Sequence, residues 1–269
     1  MTDLKNHICI SISGKPGNFG KIVHNAGYEA LDLNWIYIPF EVTNLRDAIK
    51  GIRSLGIRGC SVSMPFKEKV IKYLDEIDPI AKQIGAVNTI VNKNGILKGY
   101  NTDYIGFKKS FEKLNVRKNQ KLLILGSGGV SKAILAALKN LKFKNILISG
   151  RNYSKTKRLA TKYDVDLIKW ARRENNVSEI LINATPIGME PNTNLMPVSK
   201  SFLKNLHGIF DVIVFPRETT LIKTGKSLKV LHQSGYSMAL NQSIFQFKLY
   251  TGKEAPIKAM EKSLKNYMI

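Results

Sequence analysis

Cysteine is nearly absent from this sequence. Two occur in 269 residues, Cys9 and Cys60, each inside an apolar run. A disulfide framework uses more, and two thiols alone do not make a zinc site. Both are read as buried and reduced, so a cytoplasmic setting is expected and no metal site is read. Long hydrophobic runs are also missing. None approaches the roughly 18 residues that a membrane span requires, so no membrane association is expected. Residues 1–7 are polar and lack a charged stretch followed by an apolar one, so no signal peptide is expected. Acidic residues are scarce: 20 stand against 42 Lys and Arg, a formal net charge of +22. Such an excess would suit a nucleic-acid binder. Its distribution argues otherwise. Lysines run through every segment without a block of like charges, and neither zinc-finger spacing nor an aromatic RNA-binding strand is present. The charge is read as a Lys-rich solvated surface that attracts anions, and no nucleic-acid partner is expected.

The hydrophobic share, 43%, is ordinary for a globular chain. The length suits two modest domains. Residues 8–13 read as a strand. Phe19, Ile22, Val23, Ala26 and Ala30 recur on one face of a helix. Residues 35–40 read as a strand, 45–55 as a helix with Leu45, Ala48, Ile49 and Ile52 inward, and 59–63 as a strand that stops at Pro65. Lys93-Asn94-Gly95 is a turn signal that pairs 86–92 with 96–100 as a hairpin. A helix over 104–114 and a polar connection over 115–121 follow. A second alternation then begins: strand 122–125, helix 130–141, strand 145–149 and helix 154–162. Strands over 179–182, 208–214 and 227–231 come next, and helices over 237–250 and 256–267 close the chain. The pattern predicts an α/β protein. Its first domain, mostly parallel α/β, covers 1–102 and is completed by helices over 237–269. A Rossmann-like domain covers 103–236. A cleft between the two is the expected place for a small-molecule site. His24 falls on the polar side of the first helix. With His7, His207 and His232 it is read as structural or solvated.

The strand 122–125 runs into Gly126-Ser127-Gly128-Gly129-Val130 and then an amphipathic helix. Strand, glycine turn and helix N-terminus together are the setting for a dinucleotide. Gly126 allows the turn, Gly128 lets backbone approach a pyrophosphate, and the helix start offers unpaired N–H groups. Ser131 stands where the third small residue of the fingerprint falls. An NAD-type site carries an acid about 20 residues later, to accept from the ribose 2′-hydroxyl. Here the next strand ends at Arg151, with Lys155 and Arg158 beyond. Arginine pairs well with phosphate, so NADP is expected over NAD.

Several segments together carry a family resemblance: Gly59-Cys-Ser-Val-Ser-Met-Pro-Phe-Lys67, Ile84-Gly-Ala-Val-Asn88-Thr89, Gly99-Tyr-Asn-Thr102-Asp103, Asn183-Ala-Thr-Pro-Ile-Gly-Met189, and Asp211-Val212 followed by Pro216-Arg-Glu218. In order and spacing they resemble the shikimate dehydrogenase family. The resemblance implies reversible hydride transfer between NADP and shikimate at a ring hydroxyl, giving 3-dehydroshikimate. It implies Lys67 as general acid/base with Asp103 as its partner. It places Ser61, Ser63, Asn88 and Gln242 at the substrate, Thr185 and Val212 along the cofactor, and the backbone from Gly235 beside the nicotinamide. Oxidation of an alcohol releases a proton as hydride leaves, and a lysine can take that proton.

The sequence departs from the family in one loop. Most members carry Ser-Lys-Ser-Pro after the first strand, and those serines hold the substrate carboxylate. Here the loop is Ser13-Gly-Lys-Pro-Gly-Asn18-Phe-Gly-Lys21, which resembles the shikimate dehydrogenase-like subgroup. Ser61 replaces the usual Asn, and Ser63 the usual Thr. Ser13, Asn18 and Lys21 are the candidates for holding the carboxylate, and the choice among them stays open. Quinate or a related hydroxylated cyclic acid is the alternative substrate, and a non-catalytic regulator responsive to NADP or shikimate the alternative role. No surface stripe assigns an oligomeric state.

Overall fold

The computed structural model describes residues 7–267. The polar lead-in over residues 1–6 lies outside them. The chain opens with β1 (His7–Ser13), α1 (Phe19–Ala30), β2 (Trp35–Glu41), α2 (Leu45–Ser54) and β3 (Gly59–Val62). A 3₁₀ segment (Lys69–Tyr73), β4 (Glu76–Ile77), α3 (Pro79–Ile84), β5 (Thr89–Lys93) and β6 (Ile96–Tyr100) follow. Next come α4 (Thr102–Phe111), β7 (Leu122–Leu125), α5 (Gly129–Asn140), β8 (Ile146–Ser149), α6 (Tyr153–Tyr163) and β9 (Asp166–Leu167). Then come β10 (Ile180–Asn183), α7 (Lys200–Leu203), β11 (Gly208–Asp211), α8 (Thr220–Ser227) and β12 (Leu231–Gln233), and the chain ends with α9 (Gly235–Thr251) and α10 (Ile257–Tyr267). It divides into two compact units, residues 1–102 with 242–269, and residues 103–241. Both boundaries fall inside helices, after the first residue of α4 and within α9.

The first unit holds a six-stranded sheet in the order β2-β1-β3-β5-β6-β4. β2, β1 and β3 run parallel, and β5 turns antiparallel to β3. The β5–β6 hairpin closes where Asn94 and Gly95 take positive φ, 54° and 85°, as the turn signal requires. Ile10, Ile12, Cys60, Val62 and Ile90 form a core with Ile49 and Ile52 of α2. The second unit holds a parallel sheet in the order β12-β11-β10-β7-β8-β9. All four residues of β7 are fully buried. That explains its unbroken Leu-Leu-Ile-Leu: a strand covered on both faces has no solvent side to mark with polar residues. Each such side chain contributes roughly 1.5–3 kcal/mol by burial.

The fold differs from the sequence pattern at several elements. After β3, which ends short of Pro65, Lys67 sits in a turn, residues 64–68, ahead of the 3₁₀ segment. Helix α3 was not foreseen, although Asp78 caps it, Pro79 occupies its first turn and Gly85 ends it in the left-handed region. Its brevity hides the period. The strand expected over 208–214 ends at Asp211, where the carboxylate accepts from the Ile213 N–H and turns the chain. The strand expected over 227–231 is instead the end of α8 and a turn, with β12 starting at Leu231. Thr219 caps α8, and Leu221, Ile222 and Gly225 form its buried stripe.

Candidate active site

Register brings one set of polar residues to one edge of the first sheet. β1 and β3 are parallel, with Ile12 beside Val62, so the residues after them emerge together. Ser63 N–H donates to the Ile12 carbonyl at 3.0 Å, and Gly14 N–H to the Met64 carbonyl at 3.0 Å. β5 runs the other way, with Ser61 opposite Thr89. Its start therefore lies where β3 ends, and Val62 N–H donates to the Asn88 carbonyl at 2.7 Å. The Lys67 turn is pinned by Val87 N–H, which donates to the Lys67 carbonyl at 2.7 Å. Lys67 is half-buried.

Asn88 is 2% exposed. Its Oδ1 accepts from Thr102 N–H at 2.7 Å, Thr102 Oγ1 at 3.1 Å and Thr89 Oγ1 at 2.9 Å. Its Nδ2 donates to Gln242 Oε1 at 3.2 Å. Its acceptor is committed to the start of α4, and donor capacity remains. Ser13 is buried, and its Oγ has no partner among the described residues. Ser61 is half-buried, whereas Asn18, Lys21 and Ser63 are exposed. Asn18 holds the N-cap position of α1 but makes no side-chain capping bond. Asp103 is the second residue of α4 and 3% exposed.

In the second unit, the cofactor candidates follow the carboxyl ends of the strands. Gly126 follows β7, Arg151 follows β8 after Gly150, Thr185 follows β10, Val212 follows β11, and Gly235 opens α9 after β12. The order of the parallel strands reverses at β7, which is where such sheets take a ligand. Gly126 has φ +113°, and a Cβ there would meet the Ala184 carbonyl at 2.5 Å. A Cβ on Gly128 would meet nothing within 4 Å, so open space lies over the N-cap of α5. Ser127, Gly129 and Val130 beside it are half-buried. Ser131 is fully buried, which explains a small residue where helix and sheet approach. Arg151 is exposed, and Lys155 half-buried in the first turn of α6. An open glycine cradle at a helix N-terminus, with cations after the next strand, suits a phosphorylated dinucleotide.

The family profile described as "Shikimate dehydrogenase substrate binding domain" matches residues 19–90. "Shikimate / quinate 5-dehydrogenase" matches residues 108–189, and "Shikimate 5'-dehydrogenase C-terminal domain" matches residues 235–265. A shikimate dehydrogenase-like protein of Haemophilus influenzae is 44% identical, over 93% of this chain and 93% of its own. This chain belongs to the shikimate dehydrogenase family. A shikimate dehydrogenase (NADP(+)) of Caldanaerobacter subterraneus is 40% identical, over 86% of each chain. The crystal structure of a shikimate dehydrogenase in complex with NADP+ has a TM-score of 0.90 at 33% identity, covering 100% of this chain and 98% of that one.

Within this shikimate dehydrogenase fold, the motif residues Asn183 and Asp211, which the sequence reading gave no role, are joined in one network with Thr219. Asn183, at the end of β10, donates from Nδ2 to Asp211 Oδ1 at 3.1 Å and accepts from Thr185 Oγ1 at 2.7 Å. Thr219 Oγ1 donates to Asp211 Oδ2 at 2.6 Å. Burial pushes the Asp211 carboxyl up to about 6, against the lowering effect of the bonds from Thr219, Ile213 and Asn183. This network ties together the loops that carry Thr185 and Val212. His24 corrects an expectation. It is fully buried, not on a polar face, because α1 buries Val23, His24, Gly27 and Tyr28 rather than the stripe through Phe19 and Ala30. Its ring stacks on Tyr37 with centroids 4.6 Å apart. The His24 and Tyr28 rings fill the core there, so the buried face is turned away from the one the aliphatic residues mark. Among the described residues, no helix is long and apolar enough to cross a membrane.

Proposed function

We propose that this protein is an NADP-dependent oxidoreductase that interconverts shikimate and 3-dehydroshikimate. The observation that carries this reading is the convergence of Ser13, Ser61, Asn88 and the Lys67 turn on one sheet edge of a chain in this family. Relatives at 40% and 36% identity, each named shikimate dehydrogenase (NADP(+)), support it. The glycine turn and Arg151 hold NADP, which when bound supplies the hydride acceptor. Lys67 takes the proton of the hydroxyl being oxidised and returns it in the reverse direction. Asp103 orients and balances the ammonium. Asn88 and Gln242 hold ring oxygens. Residues 1–102 with the last helices form the substrate domain, and the central parallel sheet forms the cofactor domain. The two buried free cysteines, Cys9 and Cys60, support a cytoplasmic setting.

A second reading keeps the same lysine and aspartate but takes quinate or a related cyclic acid. The segment from Ser13 to Lys21 favours it, because the usual serine pair is missing and Asn18 and Lys21 stand exposed instead. Steady-state reduction of NADP with shikimate and quinate in parallel separates the two. Lys67→Ala is expected to lower kcat by roughly 10²–10⁴-fold, the usual worth of acid–base catalysis, with NADP affinity retained. No turnover of either acid by the wild type, with either nicotinamide cofactor, would sink both readings.

A further inference from the structure

Helix α9 carries Gln242 and, four residues on, Gln246. No motif singled out Gln246, yet it is 2% exposed. Its amide nitrogen donates to Thr89 Oγ1 at 2.8 Å and to Ser61 Oγ at 3.3 Å. Its oxygen lies 3.4 Å from His24 Nε2. Both amide protons are thus taken by hydroxyls, and the oxygen is left to accept. His24 is then the tautomer protonated on Nε2. The other tautomer would bury a donor at Nδ1, an atom with no partner among the described residues; the Nε2–H tautomer leaves only an acceptor there, which native cores tolerate more readily than an unpaired donor. The stack on Tyr37, 4.6 Å between centroids and 8° between planes, fixes the ring. Burial also holds its pKa down at about 4, against the raising effect of the Gln246 bond, so the ring stays neutral near pH 7.

From here each bond sets the direction of the next. Thr89 Oγ1 accepts a hydrogen bond from Gln246 and donates its own proton to Asn88 Oδ1 at 2.9 Å, with Thr102 Oγ1 at 3.1 Å beside it. Asn88 Oδ1 also accepts from Thr102 N–H at 2.7 Å. Asn88 Nδ2 must therefore face the other way, toward Gln242 Oε1 at 3.2 Å. With its oxygen engaged, Gln242 has its amide nitrogen left to donate. The chain runs one way, from His24 through Gln246, Thr89 and Asn88 to Gln242. Successive bonds of one direction polarise and strengthen one another.

We infer that Gln246, held by His24, is a positioning residue that sets the amide orientation of Asn88 and Gln242. This makes their part of the site a donor surface, matched to hydroxyl or carbonyl oxygens of the substrate. The orientation stands on the geometry of the first unit alone, whereas the substrate consequence rests on the shikimate reading.

The test uses the full chain, labelled with ¹⁵N, and two variants. Gln246→Met keeps the length of the side chain and removes both donors. His24→Phe keeps the ring stack and removes only the anchor. The expected result is a change in the side-chain amide resonances of Asn88 and Gln242 in both variants, larger in Gln246→Met. The KM for shikimate is expected to rise roughly five- to tenfold in Gln246→Met, as loss of one net hydrogen bond implies. The KM for NADP should stay within about twofold, which a general loss of folding would not allow. Unchanged amide resonances in both variants would overturn the inference, and so would changed resonances with an unchanged KM for shikimate. If the wild type turns over no shikimate, the shikimate reading falls, and the amide resonances alone decide the role of Gln246.

Discussion

Arg151 shows how much one residue's place in a fold adds to its chemistry. In a chain with 42 Lys and Arg, a single arginine carries little information. At the carboxyl end of β8, one strand from the glycine turn, it stands where a dinucleotide's ribose is read. Arg151→Ala is expected to raise the KM for NADP by roughly 10- to 150-fold, the worth of one charge-assisted bond to phosphate, and to leave the KM for NAD nearly unchanged. Equal losses with both cofactors, in steady-state assays run side by side, would remove Arg151 from that role. Asn88, Thr89 and Thr102 lie inside segments that the sequence already marked. Gln246 and His24 do not. Their partners are 222 residues apart in the chain, and no local pattern announces such a pair.

At the scale of elements, the turn between β7 and α5 separates two duties that look alike in sequence. Gly126 has φ +113° and no room for a Cβ beside the Ala184 carbonyl. Gly128 has ordinary dihedrals and open space. Gly126→Ala is therefore expected to destabilise the protein by about 1–3 kcal/mol, the usual toll of overpacking and backbone strain. Gly128→Ala is expected to melt within a degree or two of the wild type yet bind NADP more weakly, since its methyl fills the space a pyrophosphate needs. Thermal melting and NADP titration of both variants check this, and equal destabilisation of the two would refute it. β7 and α5 were legible because a fully buried strand is an unbroken apolar run and a glycine turn interrupts it sharply. α3 and α8 were not. One is too short to show a period, and the other merges at Leu228 and Val230 into residues that read as β.

For the whole molecule, two buried groups titrate in overlapping windows with opposite consequences. His24 is held neutral, with its pKa lowered from 6.5 to about 4 mainly by burial. The unfolded chain then binds the extra proton between those values, so this contribution is present above pH 6.5 and is lost as pH falls toward 4. Asp211 is raised from 3.8 to about 6, again mainly by burial. Here the folded chain holds the extra proton, so its contribution is full below pH 3.8 and is lost as pH rises through 6. Between pH 4 and 6 the two slopes oppose each other in the wild type. Single variants unmask them. Asp211→Asn should grow more stable from pH 4 to 6.5, and His24→Phe should grow less stable from pH 4 to 6, both by thermal melting. Parallel profiles for all three proteins would show that neither group titrates as buried.

The sequence by itself determined the α/β class, the glycine turn with its phosphate-binding logic, and the family. These follow from local period, from backbone freedom at glycine and from motifs whose residues are close in the chain. Only the tertiary structure decided that β5 reverses direction and so brings Asn88 beside the ends of β1 and β3. It alone decided which face of α1 is buried, and that a histidine there anchors a glutamine in α9. Each of these depends on which strands pair and which helix faces meet. That choice is made by the shared burial of side chains distant in the chain, and it leaves no periodic mark in either segment alone.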